Sequence, residues 1–199
     1  MPAPHDEVAD RPVVEHTVLH RGKVFDVVAD RVDLGGAATV LREFTAHPGA
    51  VAVIALDDED RVLLQSQYRH PVRRELWEPP AGLLDVPGEP EVEAARRELA
   101  EEADLVARRW WRLASFFTSP GGSDEHITVF LARDLTPVPA ASRFVREDEE
   151  AGMVPVWVPL DDAVAGVLDG SLHSPTATVG LLAAAAARAR GWSTLTPVV

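Results

Sequence analysis

The sequence predicts a mixed α/β (α+β) fold: a mixed sheet sandwiched between helices, preceded by an antiparallel strand arm. Three observations lead there. Val-rich, strand-like runs fill the first quarter of the chain, an acidic helix of period 3.6 lies between further strands, and two helices close the sequence.

Residues 1–11 are polar and Pro-rich and are expected as an unstructured tail. Residues 12–48 form the arm. Val13–His20, Val24–Leu34 and Ala38–Phe44 read as strands broken at Arg21-Gly22 and Gly35-Gly36, an antiparallel meander. Residues 49–199 form the main domain. Val51–Leu56 and Val62–Leu64 flank the tight polar turn Asp57-Asp58-Glu59-Asp60 and are expected to pair as a hairpin. That turn reads as solvated, since adjacent acids on a turn point apart. Residues 79–88, with Pro79, Pro80, Gly82, Pro87 and Gly88, read as loop throughout.

A helix follows, starting near Glu89 with Pro90 at its first position and ending at Asp104. Glu89, Glu91 and Glu93 favour its positive dipole end, and Val92, Ala95 and Leu99 mark its buried stripe. Trp110–Phe117 and Ile127–Ala132 read as strands around the loop Ser119–Glu125, with the Trp110 and Trp111 rings on opposite faces. Residues 136–152 read as loop, Met153–Val158 as a last strand, and 161–169 and 175–190 as helices. Gly170 stops the first of these; Ser174 caps the second, with Pro175 at N1 and Gly191 as its stop.

Composition narrows the function. The 199 residues suit one domain with an added arm, and 46% hydrophobic against 26% charged residues is a globular balance. The formal net charge of −13 argues against nucleic acid and anionic membrane surfaces as partners. A small phosphate ester stays open, because a local divalent cation inverts the sign. With no cysteine there are no disulfides, thiolate metal sites or Cys nucleophile, and a reducing cytoplasm fits. The first twelve residues lack the apolar stretch of a signal peptide, and the longest apolar run, Leu181–Ala187, is too short to span a bilayer. The seven histidines show no metal-ligand spacing.

The chemistry concentrates in Arg97-Glu-Leu-Ala-Glu-Glu102. Glu98, Glu101 and Glu102 fall at i, i+3 and i+4 of the expected helix and share one face. Like charges so placed repel, and a hard divalent cation that takes oxygen ligands turns that repulsion into binding. An acidic solvent face has the same pattern. Two neighbours favour the cation: the Gly- and Pro-rich loop that leads into the helix, and Arg97, in reach of Glu93 and Glu89.

Residues 82–105, GLLDVPGEPEVEAARRELAEEADL, resemble the Nudix box. Gly82, Glu89, Arg97, Glu98, Leu99, Glu101, Glu102 and Leu105 match its fixed positions. There are two departures: six residues intervene between Gly82 and Glu89 where the usual box has five, and Asp104 stands at the usual glycine. Asp is among the few residues that tolerate the left-handed conformation expected there. The flanking segments Gln67-Tyr-Arg69, Leu76–Gly82 and Ser119–Glu125 resemble the ADP-ribose pyrophosphatase subfamily, as does Pro120, fifteen residues after Leu105.

The resemblance implies a Nudix-type α/β/α sandwich and Mg²⁺- or Mn²⁺-dependent hydrolysis of ADP-ribose to AMP and ribose 5-phosphate. Alternatives are the same chemistry on a nucleotide-sugar or a nucleoside triphosphate, and a non-catalytic nucleotide sensor. Glu98 and Glu102 match the principal metal ligands, with Glu101 close by as ligand or catalytic group, and the Ala81 carbonyl matches a backbone ligand. Gly82, Glu89 and Arg97 match the structural part of the box. The general base is implied to be Glu149, with Glu150 as the alternative. Arg69 resembles a diphosphate contact, or is a surface arginine at a strand end. Arg42 and Glu43 match residues that reach the adenine of the other protomer's substrate in a homodimer, and Glu125 one that approaches the terminal ribose. Trp77 packs, or stacks beside the nucleotide.

Overall fold

A computed structural model of the chain describes residues 3–36, 38–144 and 153–198. The fold divides into two compact units, Met1–Pro48 with Ser119–Glu125, and Gly49–Thr118 with His126–Val199.

In the first unit, β1 (Val13–Arg21), β2 (Asp26–Asp33) and β3 (Thr39–Ala46) form the antiparallel meander that the Val-rich runs imply. The segment 119–125 joins it through Thr45 N to the Gly122 carbonyl (3.0 Å) and Asp124 N to the Thr45 carbonyl (3.2 Å).

The second unit is built on the strand order β11-β8-β9-β4-β7. These are β4 (Ala50–Ala55), β7 (Ala81–Leu83), β8 (Leu105–Phe117), β9 (His126–Pro137) and β11 (Thr196–Val198). The sheet is mixed: β4 runs parallel to β9 and antiparallel to β7. A second, antiparallel sheet has the order β10-β5-β6, from β5 (Arg61–Arg69), β6 (Arg74–Glu78) and β10 (Pro155–Pro159). The helices are α1 (Glu91–Ala103), α2 (Leu160–Leu168) and α3 (Pro175–Ala189).

Strand β4 is buried along its whole length, which is why it reads as an unbroken apolar run. Its alternate residues serve opposite layers. Val51, Val53 and Ala55 pack with Ala95 and Leu99 of α1, whereas Ala52 and Ile54 pack with Leu160 of α2 and Leu181 of α3. The adjacent tryptophans divide the same way, Trp110 toward the α1 layer and Trp111 toward the other. Helix α3 approaches the sheet at Gly180, where an added Cβ would come within 2.7 Å of Ile54 Cδ1. The result is the expected α/β/α sandwich.

Several local expectations are corrected. The pair β4 and β5 is not a hairpin ladder. Both hydrogen-bonding edges of β4 are taken by β9 and β7, so beyond a single Leu56–Val62 bridge β5 pairs with β6 and β10 in the other sheet. The 57–60 turn is not simply solvated: Asp57 folds back, accepting from Glu59 N (3.0 Å), Arg61 N (2.8 Å) and Arg61 Nε (2.7 Å). Residues 79–88 are not all loop. Ala81–Leu83 form β7 at the sheet edge, where the missing donors of the preceding prolines are harmless, and the Pro80 carbonyl accepts from Val53 N at 2.8 Å. Helix α1 begins at Glu91 with Pro90 as N-cap in extended conformation, two residues later than expected. Strands β8 and β9 run longer than their apolar runs, and β6 and β11 have no counterpart in the sequence reading. Residues 136–144 include the end of β9 and a 3₁₀ turn at Ala140–Ser142, not loop alone. Ser174 caps α3 by backbone conformation only; its hydroxyl shares a 2.9 Å hydrogen bond with that of Thr176. Among the described residues, no helix is long and apolar enough to cross a membrane.

Candidate active site

Helix α1 carries its acids on the face that the i, i+3, i+4 spacing implies, but that face is turned inward at two of them. Glu98 is 9% exposed and Glu102 7%, and both lie on the buried side with Ala94, Ala95 and Leu99. Glu101 is half-buried. The helix stops at Asp104, whose backbone is left-handed (φ 53°, ψ 35°) and whose N–H closes on the Leu99 carbonyl. Asp does here what glycine does in the usual box.

Strand β7 presses against this face. An ideal Cβ on Gly82 would lie 2.0 Å from both Cδ and Oε1 of Glu98, so only glycine lets the strand backbone come this close. The preceding residue holds the next carboxylate: Ala81 N donates to Glu102 Oε2 at 3.0 Å. The same oxygen accepts from Gln65 Nε2 at 2.6 Å, reaching across from β5. The turn before α1 is tied down by Arg97. Its guanidinium is bidentate to Glu89 (Nε–Oε1 3.2 Å, Nη2–Oε2 3.1 Å), and its Nη1 reaches Glu98 (2.5 Å) and Glu101 (3.4 Å). Charge-assisted bonding to Glu89, reinforced by Glu98, raises the Arg97 pKa further above its already high value. Of the two partners in sequence reach, Arg97 takes Glu89; Glu93 pairs with Arg96 instead.

The donor chemistry of this face fits a hard divalent cation. Every side chain that Arg97 and Gln65 gather is a carboxylate, two are buried, and β7 brings backbone to within contact distance. Among the described residues, no three acidic or imidazole groups converge on one point, and Arg97 supplies the positive charge against Glu98 and Glu101.

The other candidates distribute as follows. Arg69, at the end of β5, is bidentate to Glu78 (Nε–Oε1 3.1 Å, Nη2–Oε2 2.6 Å). Glu78 is buried and lies opposite Gln65 in the β5–β6 register. Arg69 is thus exposed at the end of its strand, as a surface arginine would be, and is at the same time paired with Glu78. Trp77 is exposed on β6. Arg42 and Glu43 are exposed on β3, and Glu125 lies 3.7 Å from His47 Nε2, all within the first unit. Glu149 and Glu150 lie outside the described residues. Sequence reasoning missed Gln65 and Glu78. The signal available was a polar residue in the apolar run VLLQ of β5, and a glutamate between Trp77 and the prolines.

Comparisons with known proteins place the chain in a family. The NUDIX domain matches residues 46–177. The chain is 42% identical over 174 residues to an ADP-ribose pyrophosphatase of Mycobacterium tuberculosis, covering 87% of this chain and 83% of that protein. It is 41% identical over 146 residues to an ADP-ribose pyrophosphatase of Bacillus subtilis, covering 73% and 77%. The crystal structure of an ADP compounds hydrolase superposes with a TM-score of 0.76 at 20% identity, over 94% of this chain and 99% of that one, a likeness of fold. With a domain match over most of its length, a relative at 42% identity, and the box glutamates gathered against Gly82 by Arg97, the chain belongs to the Nudix family of hydrolases.

Proposed function

We propose that the chain hydrolyses the pyrophosphate bond of ADP-ribose, giving AMP and ribose 5-phosphate, with Mg²⁺ or Mn²⁺. The observation that carries this reading is the Glu98–Glu101–Glu102 face held by Arg97 against β7, in a chain whose relatives at 41–42% identity are ADP-ribose pyrophosphatases. Glu98, Glu102 and the Ala81 carbonyl would hold the ion, with Glu101 beside them as ligand or catalytic group. When bound, such an ion neutralises the diphosphate and acidifies the attacking water.

The chain's own groups do the rest. Arg97, anchored through its two bonds to Glu89, holds Glu98 and Glu101 on the face that would take the ion. Arg69, braced by Glu78, presents its planar cation to the diphosphate. Glu149, or Glu150 in its place, takes the proton from water as the oxygen adds to phosphorus and the bridging P–O bond breaks. In a homodimer, Arg42 and Glu43 of one protomer reach the adenine bound by the other, Glu125 approaches the terminal ribose, and Trp77 flanks the nucleotide. The division into a tail (1–11), a strand arm (12–48) and a catalytic domain (49–199) is part of this proposal, as are work in the cytoplasm and the absence of nucleic-acid and membrane partners.

A substrate panel with Mg²⁺ or Mn²⁺ tests it: ADP-ribose against ADP-glucose, GDP-mannose and dGTP, reading nucleoside monophosphate release. ADP-ribose is expected to dominate kcat/KM; equal rates on all four sink the assignment. Glu149→Gln is expected to lower kcat with little change in ADP-ribose affinity. If Glu150→Gln does so instead, the base is Glu150.

A further inference from the structure

We propose that Gln65 is a positioning residue that holds the Glu102 carboxylate in its metal-ligating orientation. The inference rests on the assignment of Glu102 as a ligand above. Gln65 is 3% exposed, in a strand whose neighbouring Val62, Leu63 and Leu64 are all buried and apolar. Its Nε2 donates to Glu102 Oε2 at 2.6 Å, the short distance of a bond to a charged acceptor. Reversing the amide would set its oxygen against the carboxylate oxygen, so the network assigns the orientation.

The arrangement comes at a cost. Gln65 Oε1 is buried, and among the described residues it has no hydrogen-bond partner. An unsatisfied buried acceptor is destabilising, so an apolar side chain of the same size is the better choice for packing alone. What Gln65 contributes is one donor on a Glu102 oxygen that also accepts from another. The other, Ala81 N, belongs to the strand that carries Gly82. Together they restrain a carboxylate that otherwise swings about three side-chain torsions, and they spread its charge over two N–H groups. Groups that orient a metal ligand in this way typically contribute about 10–100-fold in metal affinity.

The test is Mn²⁺ binding to the substrate-free full chain, read as loss of the free Mn²⁺ EPR signal, with thermal melting in EDTA to establish folding. Gln65→Met keeps the volume and removes the donor; it is expected to weaken Mn²⁺ binding about 10-fold while the protein stays folded. Gln65→Asn keeps a buried amide, shortens its reach by one methylene, and is expected to give the same loss; it serves if Gln65→Met does not fold. Because the effect runs through Glu102, neither substitution adds to the loss already caused by Glu102→Gln. Wild-type affinity in both Gln65 variants overturns the proposal and leaves the metal face standing, provided that Glu102→Gln weakens binding. A full additional loss in the Glu102→Gln background also overturns it. Unchanged affinity in Glu102→Gln itself overturns the ligand assignment, and this proposal with it.

Discussion

Gly82→Ala is the sharpest test of how the box is assembled. The added methyl would stand 2.0 Å from Glu98 Cδ and Oε1 and 2.6 Å from its Cγ, where ordinary contact begins at 3.4 Å. The clash is with a whole carboxylate, not a flexible tip, because Glu98 is 9% exposed and tied to Arg97 at 2.5 Å. Either β7 lifts away from α1 or Glu98 leaves its place. Overpacking of this kind costs about 1–3 kcal/mol. For a chain of this size each kcal/mol lowers Tm by about 2–4 °C, so a fall of about 2–12 °C is expected. Melting curves in EDTA measure it, and a Mn²⁺ titration reads the displaced ligand. The double variant Gly82→Ala/Glu98→Ala removes the obstructing side chain and is expected to melt no lower than Glu98→Ala alone. Gly121→Ala, with nothing within 4 Å of the added methyl, is the neutral control. If Gly82→Ala melts and binds Mn²⁺ as wild type does, Glu98 is not held against β7 and the assembly described above is wrong.

Arg97→Gln removes the two bonds to Glu89 and the contacts to Glu98 and Glu101; a loss of about 1–3 kcal/mol by urea denaturation is expected, below the value for a fully buried pair because the guanidinium is partly exposed. Wild-type stability would mean that the carboxylates do not depend on this cation. Asp104→Gly relieves a left-handed non-glycine residue and is expected to raise stability by up to about 1 kcal/mol, read as a higher urea midpoint at unchanged m; a lower midpoint would show that the Asp104 carboxylate contributes more than the strain costs. Burial opposes ionisation of Asp57, but the backbone bond from Arg61, its guanidinium and the Glu59 N–H outweigh it and hold the pKa below the ordinary 3.8. A depressed carboxyl contributes stability above its unfolded pKa and loses it as pH falls through the folded one. The difference in unfolding free energy between wild type and Asp57→Asn is therefore expected to be constant above pH 3.8 and to shrink below it; a gap that widens in acid would refute the sign.

The net charge of −13 was legible as a number, and the structure locates part of it. The acids of α1 are not a solvated stripe: Glu98 and Glu102 point inward, and Arg96 and Arg97 answer Glu93 and Glu89. The acidic run alone looks the same whether it faces solvent or a strand; the loop before it and Arg97 favoured the second, and the structure shows which acids are buried.

What the sequence determined by itself is what depends on neighbours along the chain. The 3.6-period acids and the left-handed stop at Asp104 define α1 and its shared carboxylate face, the Val-rich runs define the meander, and Pro175 with Gly191 bounds α3, because dihedral preference and side-chain period act over a few residues. What only the tertiary structure decided is pairing at a distance. The ladder partner of β5 depended on both edges of β4 being occupied, β7 existed only because Gly82 comes to lie opposite Val51, and Gln65 came to Glu102 from 37 residues away. Hydrogen-bonding edges and buried donors are filled by whatever the whole fold brings near, and no local pattern records which residue that is.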